Sequence, residues 1–95
     1  MRCDLAFEWD VGKAEANYRK HGVWFAESLP VFEDDEAITI TDDSSDPHEV
    51  RFVSIGMGAK ERVLVVVYCH RGKNIRIISA RTAEPRERSQ YEESR

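Results

Sequence analysis

The chain has 95 residues with a formal net charge of -4, and 41% of its residues are hydrophobic. This length fits one domain, and the hydrophobic share excludes a globally disordered chain. No apolar run is long enough to span a membrane, and the N-terminal residues lack the apolar segment of a signal peptide, so we expect a cytoplasmic protein without a membrane partner. Residues 1–50 carry four Lys and Arg against thirteen Asp and Glu, and residues 51–95 carry ten against five. The acidic total disfavours nonspecific coating of nucleic acid, although the basic half can present a local positive surface.

The first strand is predicted by the alternation of apolar and polar side chains, and the first helix by its capping residues. Residues 5–9 alternate large apolar side chains with smaller or charged ones, which predicts a short, half-buried strand. Asp10 then provides an N-cap for a helix over residues 11–21. Gly22 follows that helix directly and is suited to the left-handed conformation that ends many helices.

The remaining elements are a second short helix, four strands and a last helix. Residues 23–32 predict the second helix, which Pro30 shortens or kinks, and its tight link to the first helix predicts a helical hairpin. Pro85 is suited to the first position of a charged helix over residues 85–94. The predicted strands are residues 37–42, 50–57, 63–70 and 75–80.

This order predicts one α+β domain over residues 1–95. Strands that follow each other through short turns predict an antiparallel sheet, covered by the N-terminal helical hairpin and accompanied by a C-terminal helix. A polar loop over residues 43–49 separates the first two strands of the meander. The periodicity predicts a core of Phe7, Trp9, Val11, Ala14, Tyr18, Phe25, Leu29, Phe52, Leu64, Val66, Ile75 and Ile77.

Neither a metal nor another cofactor is expected. Cys3 and Cys69 are two isolated thiols, and no Cys and His spacing matches a zinc site. The acidic residues of the loops lack the regular ligand spacing of a calcium site, so we interpret them as solvated surface charge.

Several short motifs together resemble one known family. They fall in order along nearly the whole chain: FEWD at 7–10, NYRKHGVWF at 17–25, RFVSIG at 51–56, LVVVY at 64–68, RIISAR at 76–81 and RERSQYE at 86–92. This set resembles the BrnT family of bacterial toxins. The pairing of KHG with RIISAR at this separation is the specific part of the resemblance.

The resemblance implies a fold and an activity. It implies a RelE-like ribonuclease fold and a toxin of a type II toxin–antitoxin system that blocks translation by cutting RNA. It also implies neutralisation by a BrnA-like antitoxin, which dimerises through a ribbon-helix-helix domain, so that DNA is contacted only through the antitoxin.

Cleavage of RNA without a metal needs a base, an acid and cations that stabilise the charge on phosphorus. Arginine suits the phosphate role because its planar fork can bind two oxygens, and histidine titrates near neutrality. The predicted catalytic residues are Lys20, His21, Arg76 and Arg81. The predicted RNA-binding residues are Lys13, Asn17, Arg51 and Tyr68.

Five of these residues also have an explanation that is structural and requires no role in catalysis or RNA binding. Lys20 and His21 lie in the last turn of a helix, where the helix dipole favours cations in any protein. Arg51 and Arg76 could pair with surface carboxylates, and Tyr68 on a central strand could be part of the core.

The positions of Arg76 and Arg81 pose a further question. Side chains alternate along a strand, so residues five apart point to opposite faces unless the strand ends or bulges between them. Our hypothesis is that Arg81 lies just past the strand end and turns toward Lys20 and His21.

Two functions of different classes follow. The first is a ribonuclease toxin, and the second is a catalytically silent module that binds the antitoxin and acts only in operon repression. A double-stranded-RNA-binding domain is disfavoured because Glu84 and Glu87 stand at the start of the last helix, where that fold requires basic residues.

Overall fold

The computed structural model describes residues 6–42 and 49–94. Its strands are β1 (Ala6–Glu8), β2 (Ile38–Asp42), β3 (Arg51–Met57), β4 (Val63–Arg71) and β5 (Asn74–Thr82). Its α-helices are α1 (Val11–His21) and α2 (Pro85–Glu93), and two 3₁₀ helices span Phe25–Glu33 and Ala59–Glu61. Most of the predicted loop at residues 43–49 lies outside the described residues. Within the described residues, no helix is long and apolar enough to cross a membrane.

The predicted boundaries of α1 are confirmed by its caps. The Asp10 carboxylate accepts a hydrogen bond from the Gly12 amide at 3.0 Å, as an N-cap does. Gly22 has φ of 71°, and its amide donates to the Tyr18 carbonyl at 2.7 Å. Only glycine adopts this left-handed conformation without a steric cost, so the local sequence determines where α1 ends.

The second predicted helix is a 3₁₀ helix and not an α-helix. Phe25–Glu33 contains Pro30, whose missing N–H and fixed φ interfere with the hydrogen bonds of an α-helix. At the start of this helix the Trp24 amide donates to the Glu27 carboxylate at 3.1 Å. The predicted hairpin of two α-helices is therefore replaced by one α-helix and a tighter 3₁₀ segment.

The sheet has the order β1-β5-β4-β3-β2 and is mixed. β2 to β5 form an antiparallel meander as predicted, but β1 pairs with β5 in parallel. The prediction of a wholly antiparallel sheet was therefore wrong for its first strand. Nothing in the local pattern of β1 indicates which strand it joins, because that pairing links residues more than sixty positions apart.

The strand register defines two faces of the sheet. Residues that are paired across an antiparallel ladder point to the same side. The core face carries Phe7, Phe52, Leu64, Val66, Tyr68, Ile77 and Ala80, and α1 and the first 3₁₀ helix pack against it. The opposite face, which we call the arginine face, carries Glu8, Arg51, Val53, Val65, Val67, Cys69, Arg76 and Arg81.

Two predicted core residues are on the surface. Val11 is 67% exposed and Tyr18 is 42% exposed. The inward stripe of α1 consists instead of Ala14, Asn17 and the half-buried His21, so the helix is rotated from the predicted orientation. Tyr18 stacks on the ring of Trp24, with 4.3 Å between the ring centroids. The remaining predicted core residues are buried or partly buried.

Helix α2 packs on part of the arginine face. Its Tyr91 is 2% exposed and belongs to a second apolar cluster with Ile55, Val63 and Val65. The Tyr91 hydroxyl donates to the Asp34 carboxylate at 2.6 Å. This single aromatic anchor fixes a helix that is otherwise polar, because its burial removes a large apolar area from water.

Candidate functional site

Arg76 and Arg81 lie on the same face of the sheet, because β5 contains a β-bulge. The register of β4 against β5 skips Ile78, which has no partner on β4. One extra residue shifts the alternation of the strand, so that side chains five positions apart point to the same side. The hypothesis that Arg81 lies past the strand end was wrong, since β5 continues to Thr82.

Asn17 stabilises the strand next to this bulge. Its side-chain amide donates to the Ala80 carbonyl at 2.8 Å and to the Val23 carbonyl at 3.0 Å. Its carbonyl oxygen accepts from the Ala80 amide at 3.3 Å. Asn17 is 8% exposed, and it supplies hydrogen bonds to β5 beyond Arg76, where the parallel partner β1 has ended. Asn17 therefore supports the sheet, and we do not retain it as an RNA-binding residue.

A row of polar side chains crosses the arginine face from β1 to β2. The register aligns Glu8, Arg76, Cys69, Arg51 and Asp42 on successive neighbouring strands. Arg51 and Arg76 are separated by one strand, so their Cα atoms are roughly 10 Å apart, which is twice the spacing of neighbouring strands. Two long guanidinium side chains at this separation can reach one phosphate group between them.

Glu8 holds Arg76 in place at one end of the row. Arg76 donates to Glu8 at 2.9 Å, and the Asn74 side chain donates to the second oxygen of the same carboxylate at 2.9 Å. The hydrogen bond from Asn74, followed by that from Arg76, lowers the pKa of Glu8. Glu8 is therefore ionised at neutral pH and forms an ion pair with the Arg76 cation.

Arg81 forms a bidentate pair with α2. Its two terminal nitrogens donate to the two oxygens of Glu87, each at 2.8 Å. The same carboxylate accepts from the Glu84 amide at 2.8 Å, which caps the start of α2. The hydrogen bonds from Arg81 lower the pKa of Glu87, and the pairing raises the pKa of Arg81. This pair orients the guanidinium of Arg81 and also neutralises it.

Arg51 has an unused donor. It is half-buried, and its Nε is shielded from solvent without a hydrogen-bond partner among the described residues. It stands opposite the buried Cys69 on one side and Asp42 on the other. A buried donor without a partner is energetically costly, so the Nε of Arg51 is a local source of instability.

Lys13 and Lys20 lie on one flank of α1. Both are exposed, and successive residues of an α-helix are rotated by about 100°, so both project from the side opposite Tyr18. Tyr18 contacts Trp24 at the start of the 3₁₀ helix on the core face, and Asn17 reaches the edge of β5. The lysine flank is therefore the exposed side of α1 that lies away from the stack of Tyr18 on Trp24. His21 points inward and is half-buried.

Tyr68 belongs to the core face. It is buried among aromatic rings, and its hydroxyl shares a 2.9 Å hydrogen bond with the hydroxyl of Ser54. Tyr68 is therefore a residue of the core, and we do not retain it as an RNA-binding residue.

Sequence reasoning missed two acidic residues of this site. Glu8 and Glu87 bind the two predicted catalytic arginines, but neither was predicted as a functional residue. The alternation of β1 places Glu8 on the outward side, and this could have marked it as a candidate residue. Its pairing with Arg76 could not be predicted, because it depends on the long-range pairing of β1 with β5. No group of three or more His, Cys, Asp or Glu side chains in the described ranges is arranged to hold a metal ion.

Two comparisons bear on what this site does. A sequence model of the family described as "Ribonuclease toxin, BrnT, of type II toxin-antitoxin system" matches residues 9–87. The chain belongs to the BrnT family. A crystal structure of the Brucella abortus ribonuclease toxin BrnT is similar, with 26% sequence identity and a TM-score of 0.66. The match covers 84% of this chain and 96% of that one. No curated protein matches the chain.

The matched range of this BrnT family member includes four of the five residues of the polar row. Arg51, Arg76, Arg81 and Lys20 all lie within it, and Glu8 lies one residue before it. The family consists of ribonuclease toxins of type II toxin–antitoxin systems. The α+β fold of this chain matches that of the Brucella abortus toxin. Arg51, Arg76 and Arg81 give the arginine face positive side chains, and positive side chains are the groups that bind the phosphates of a nucleic acid.

Proposed function

We propose that this BrnT family member is an endoribonuclease that cuts RNA on its arginine face without a metal ion and inhibits translation in the cytoplasm. The observation that carries the proposal is the shared face of Arg51, Arg76 and Arg81, which the bulge at Ile78 creates. We also propose that the fold is RelE-like.

The proposed reaction is attack of the ribose 2′-oxygen on the adjacent phosphorus. Glu8 accepts the 2′-hydroxyl proton after Arg76 has turned from it to the phosphate, because the ion pair with Arg76 lowers the basicity of the carboxylate. The new bond from the 2′-oxygen to phosphorus gives a cyclic phosphate, the bond from phosphorus to the 5′-oxygen breaks, and the leaving oxygen takes a proton from solvent. Arg76, together with Arg51, stabilises the negative charge that develops on the phosphoryl oxygens. Arg81 and Lys20 bind flanking phosphates, and this binding requires Arg81 to leave Glu87 or to share its guanidinium with it.

His21 and Lys13 are assigned supporting roles. His21 is half-buried on the inward stripe of α1. For His21 to take part in catalysis, its side chain must become more exposed to the substrate. Lys13 shares the exposed flank with Lys20 and extends the positive surface along α1 by about two turns.

The test is cleavage of a single-stranded RNA by the purified chain in EDTA. We expect cleavage to persist in chelator, to fall by roughly a hundredfold or more in Arg76→Ala, and to fall similarly in Glu8→Gln. Lys20→Ala should also reduce cleavage, because Lys20 is proposed to bind a flanking phosphate. Its matched control is Arg19→Ala, which removes an exposed cation from the outer side of α1. Loss of cleavage in EDTA with recovery on adding a divalent ion contradicts the proposed mechanism.

A second candidate is a catalytically silent module that binds the antitoxin and acts only in operon repression. The pairing of Arg76 with Glu8 and of Arg81 with Glu87, together with the net charge of -4, favours this alternative. Expression of the chain alone in a bacterial host separates the two. Growth arrest that disappears in Arg76→Ala supports the enzyme, and normal growth at the same protein level supports the module.

We further propose that the antitoxin is BrnA-like, with a ribbon-helix-helix domain that provides the only contact with DNA. We propose that it covers α2 and the arginine face, and so neutralises the toxin by occlusion. Helix α2 presents exposed cations for this purpose, including Arg86 and Arg88. Replacement of both by glutamate should weaken capture of the co-expressed antitoxin, whereas Arg19→Glu on α1 should not.

A further inference from the structure

The two edges of the sheet differ in how they are protected. An edge strand has unpaired backbone N–H and C=O groups, and proteins limit this hazard with short strands, bulges, lysine or proline. β1 has three residues and offers little pairing surface. β2 has five residues, and in the described part of the chain no strand lies on its outer side.

β2 also contains no bulge, lysine or proline. Its register against β3 is continuous over all five residues, so it has no bulge. Its sequence, ITITD, contains neither lysine nor proline, and four of its five residues are β-branched. Thr39, Ile40 and Thr41 are exposed, and Ile40 is 58% exposed. Such a strand is well suited to accept another strand along its free edge.

The charge around β2 restricts what can bind there. Glu33, Asp35 and Glu36 are exposed and lie within the five residues before the strand, and Asp42, which stands beside Arg51 of β3, ends it. If two copies of this chain paired antiparallel through β2, the start of each strand would lie beside the end of the other. Acidic residues would then face acidic residues, which disfavours self-pairing. A strand with basic ends would instead find opposite charges.

We propose that β2 is the docking edge for an extended segment of a partner polypeptide, with β-branched or apolar residues in its centre and Lys or Arg at its ends. The segment pairs with β2 through backbone hydrogen bonds and extends the sheet by one strand. Its central side chains contact Ile40 on the arginine face and the exposed threonines on the core face. This inference does not depend on the proposed ribonuclease activity.

The probe for this inference is a synthetic peptide with Lys-Arg at its start, Val-Thr-Val-Thr-Val in its centre and Arg-Lys at its end, blocked at both termini. Fluorescence anisotropy with the full chain should show saturable binding that weakens as salt is raised. A second peptide of the same sequence carries N-methyl groups on alternate central amides. It keeps the charge but cannot pair along a strand, so it should bind at least roughly tenfold more weakly.

The matched protein variants are Ile40→Lys and Val11→Lys. Both replace an exposed aliphatic residue by lysine, but Ile40 lies on β2 and Val11 lies on α1. We expect Ile40→Lys to weaken peptide binding by roughly tenfold and Val11→Lys to leave it unchanged, since lysine on an edge strand opposes pairing. Thermal unfolding of both variants establishes that they remain folded.

Three results overturn the inference. Equal binding of the methylated peptide means that charge alone is recognised. Absence of saturable binding by the first peptide at millimolar concentration means that the edge does not accept a basic strand. Self-association of the chain in sedimentation experiments, abolished by Ile40→Lys, means that the occupant is a second copy.

Discussion

The side chains of Arg76 and Arg81 share one face of the sheet, although an odd number of positions separates them, because Ile78 is the extra residue of a β-bulge in β5. Each guanidinium is then fixed by a carboxylate from a different element, Arg76 by Glu8 of β1 and Arg81 by Glu87 of α2. The two arginines are thereby oriented before any substrate binds. In the proposed reaction these ion pairs loosen or are shared when a phosphate binds.

Removal of the Glu87 carboxylate should loosen α2. Glu87→Gln weakens the bidentate pair with Arg81 and the cap on the Glu84 amide, so we expect the free energy of unfolding to fall by roughly 1 kcal/mol. Urea unfolding provides the measurement. Glu92→Gln makes the same chemical change at an exposed position of α2 and should have an effect close to zero. Equal effects of the two variants would contradict the structural role of Glu87.

Stability should fall as the pH drops below the ordinary glutamate range. Hydrogen bonds from Asn74 and Arg76 lower the pKa of Glu8, and those from Arg81 lower that of Glu87. A carboxyl group with a lowered folded-state pKa contributes stability above its unfolded value, here 4.5, and loses it as the pH falls through the folded-state pKa.

The check on this pH dependence is a series of urea unfolding curves from pH 6 downward, for the natural chain and for the Glu8→Gln and Glu87→Gln double variant. The double variant should be less stable near neutrality and should lose less stability on acidification. An identical pH slope in both proteins would rule out these two carboxylates as the cause.

Asn17 should be among the polar residues whose loss destabilises the fold most. Asn17→Ala leaves the backbone groups of Ala80 and the Val23 carbonyl without their partner, so we expect a loss of roughly 2–4 kcal/mol. Asn17→Asp retains the size but cannot donate, and it should also destabilise. Lys13→Ala on the exposed flank of α1 is the control and should stay within about 0.5 kcal/mol. A small effect of Asn17→Ala would show that water replaces these bonds.

Tyr91 should anchor α2 mainly through its ring. Tyr91→Phe removes the hydrogen bond to Asp34 and should cost about 1 kcal/mol, whereas Tyr91→Ala should cost roughly 3–5 kcal/mol, because it also leaves a cavity beside Ile55 and Val65. Amide hydrogen exchange of α2 should accelerate far more in the second variant. Apart from Pro85, the other residues of this helix are polar, so its docking depends mainly on this one side chain.

The arrangement of the candidate site was only partly predictable. The choice of Arg76 and Arg81 needed no more than their residue type and the resemblance to the BrnT family. Their common face depends on the bulge, which arises where β4 and β5 pair across a register shift and leaves no local pattern in the sequence. Tyr68 and Asn17 were predicted to bind RNA because of their polar groups, but the structure satisfies those groups internally.

Local signals determined the elements of this protein, and long-range packing determined how they meet. Asp10, Gly22 and Pro85 act on their own neighbours through capping, left-handed φ and a fixed φ, so the sequence by itself determined where α1 begins and ends and where α2 begins. The parallel pairing of β1 with β5 and the rotation of α1 were decided only by the tertiary structure. Both depend on burial and hydrogen bonds between residues far apart in the chain, which no periodicity within a single segment records.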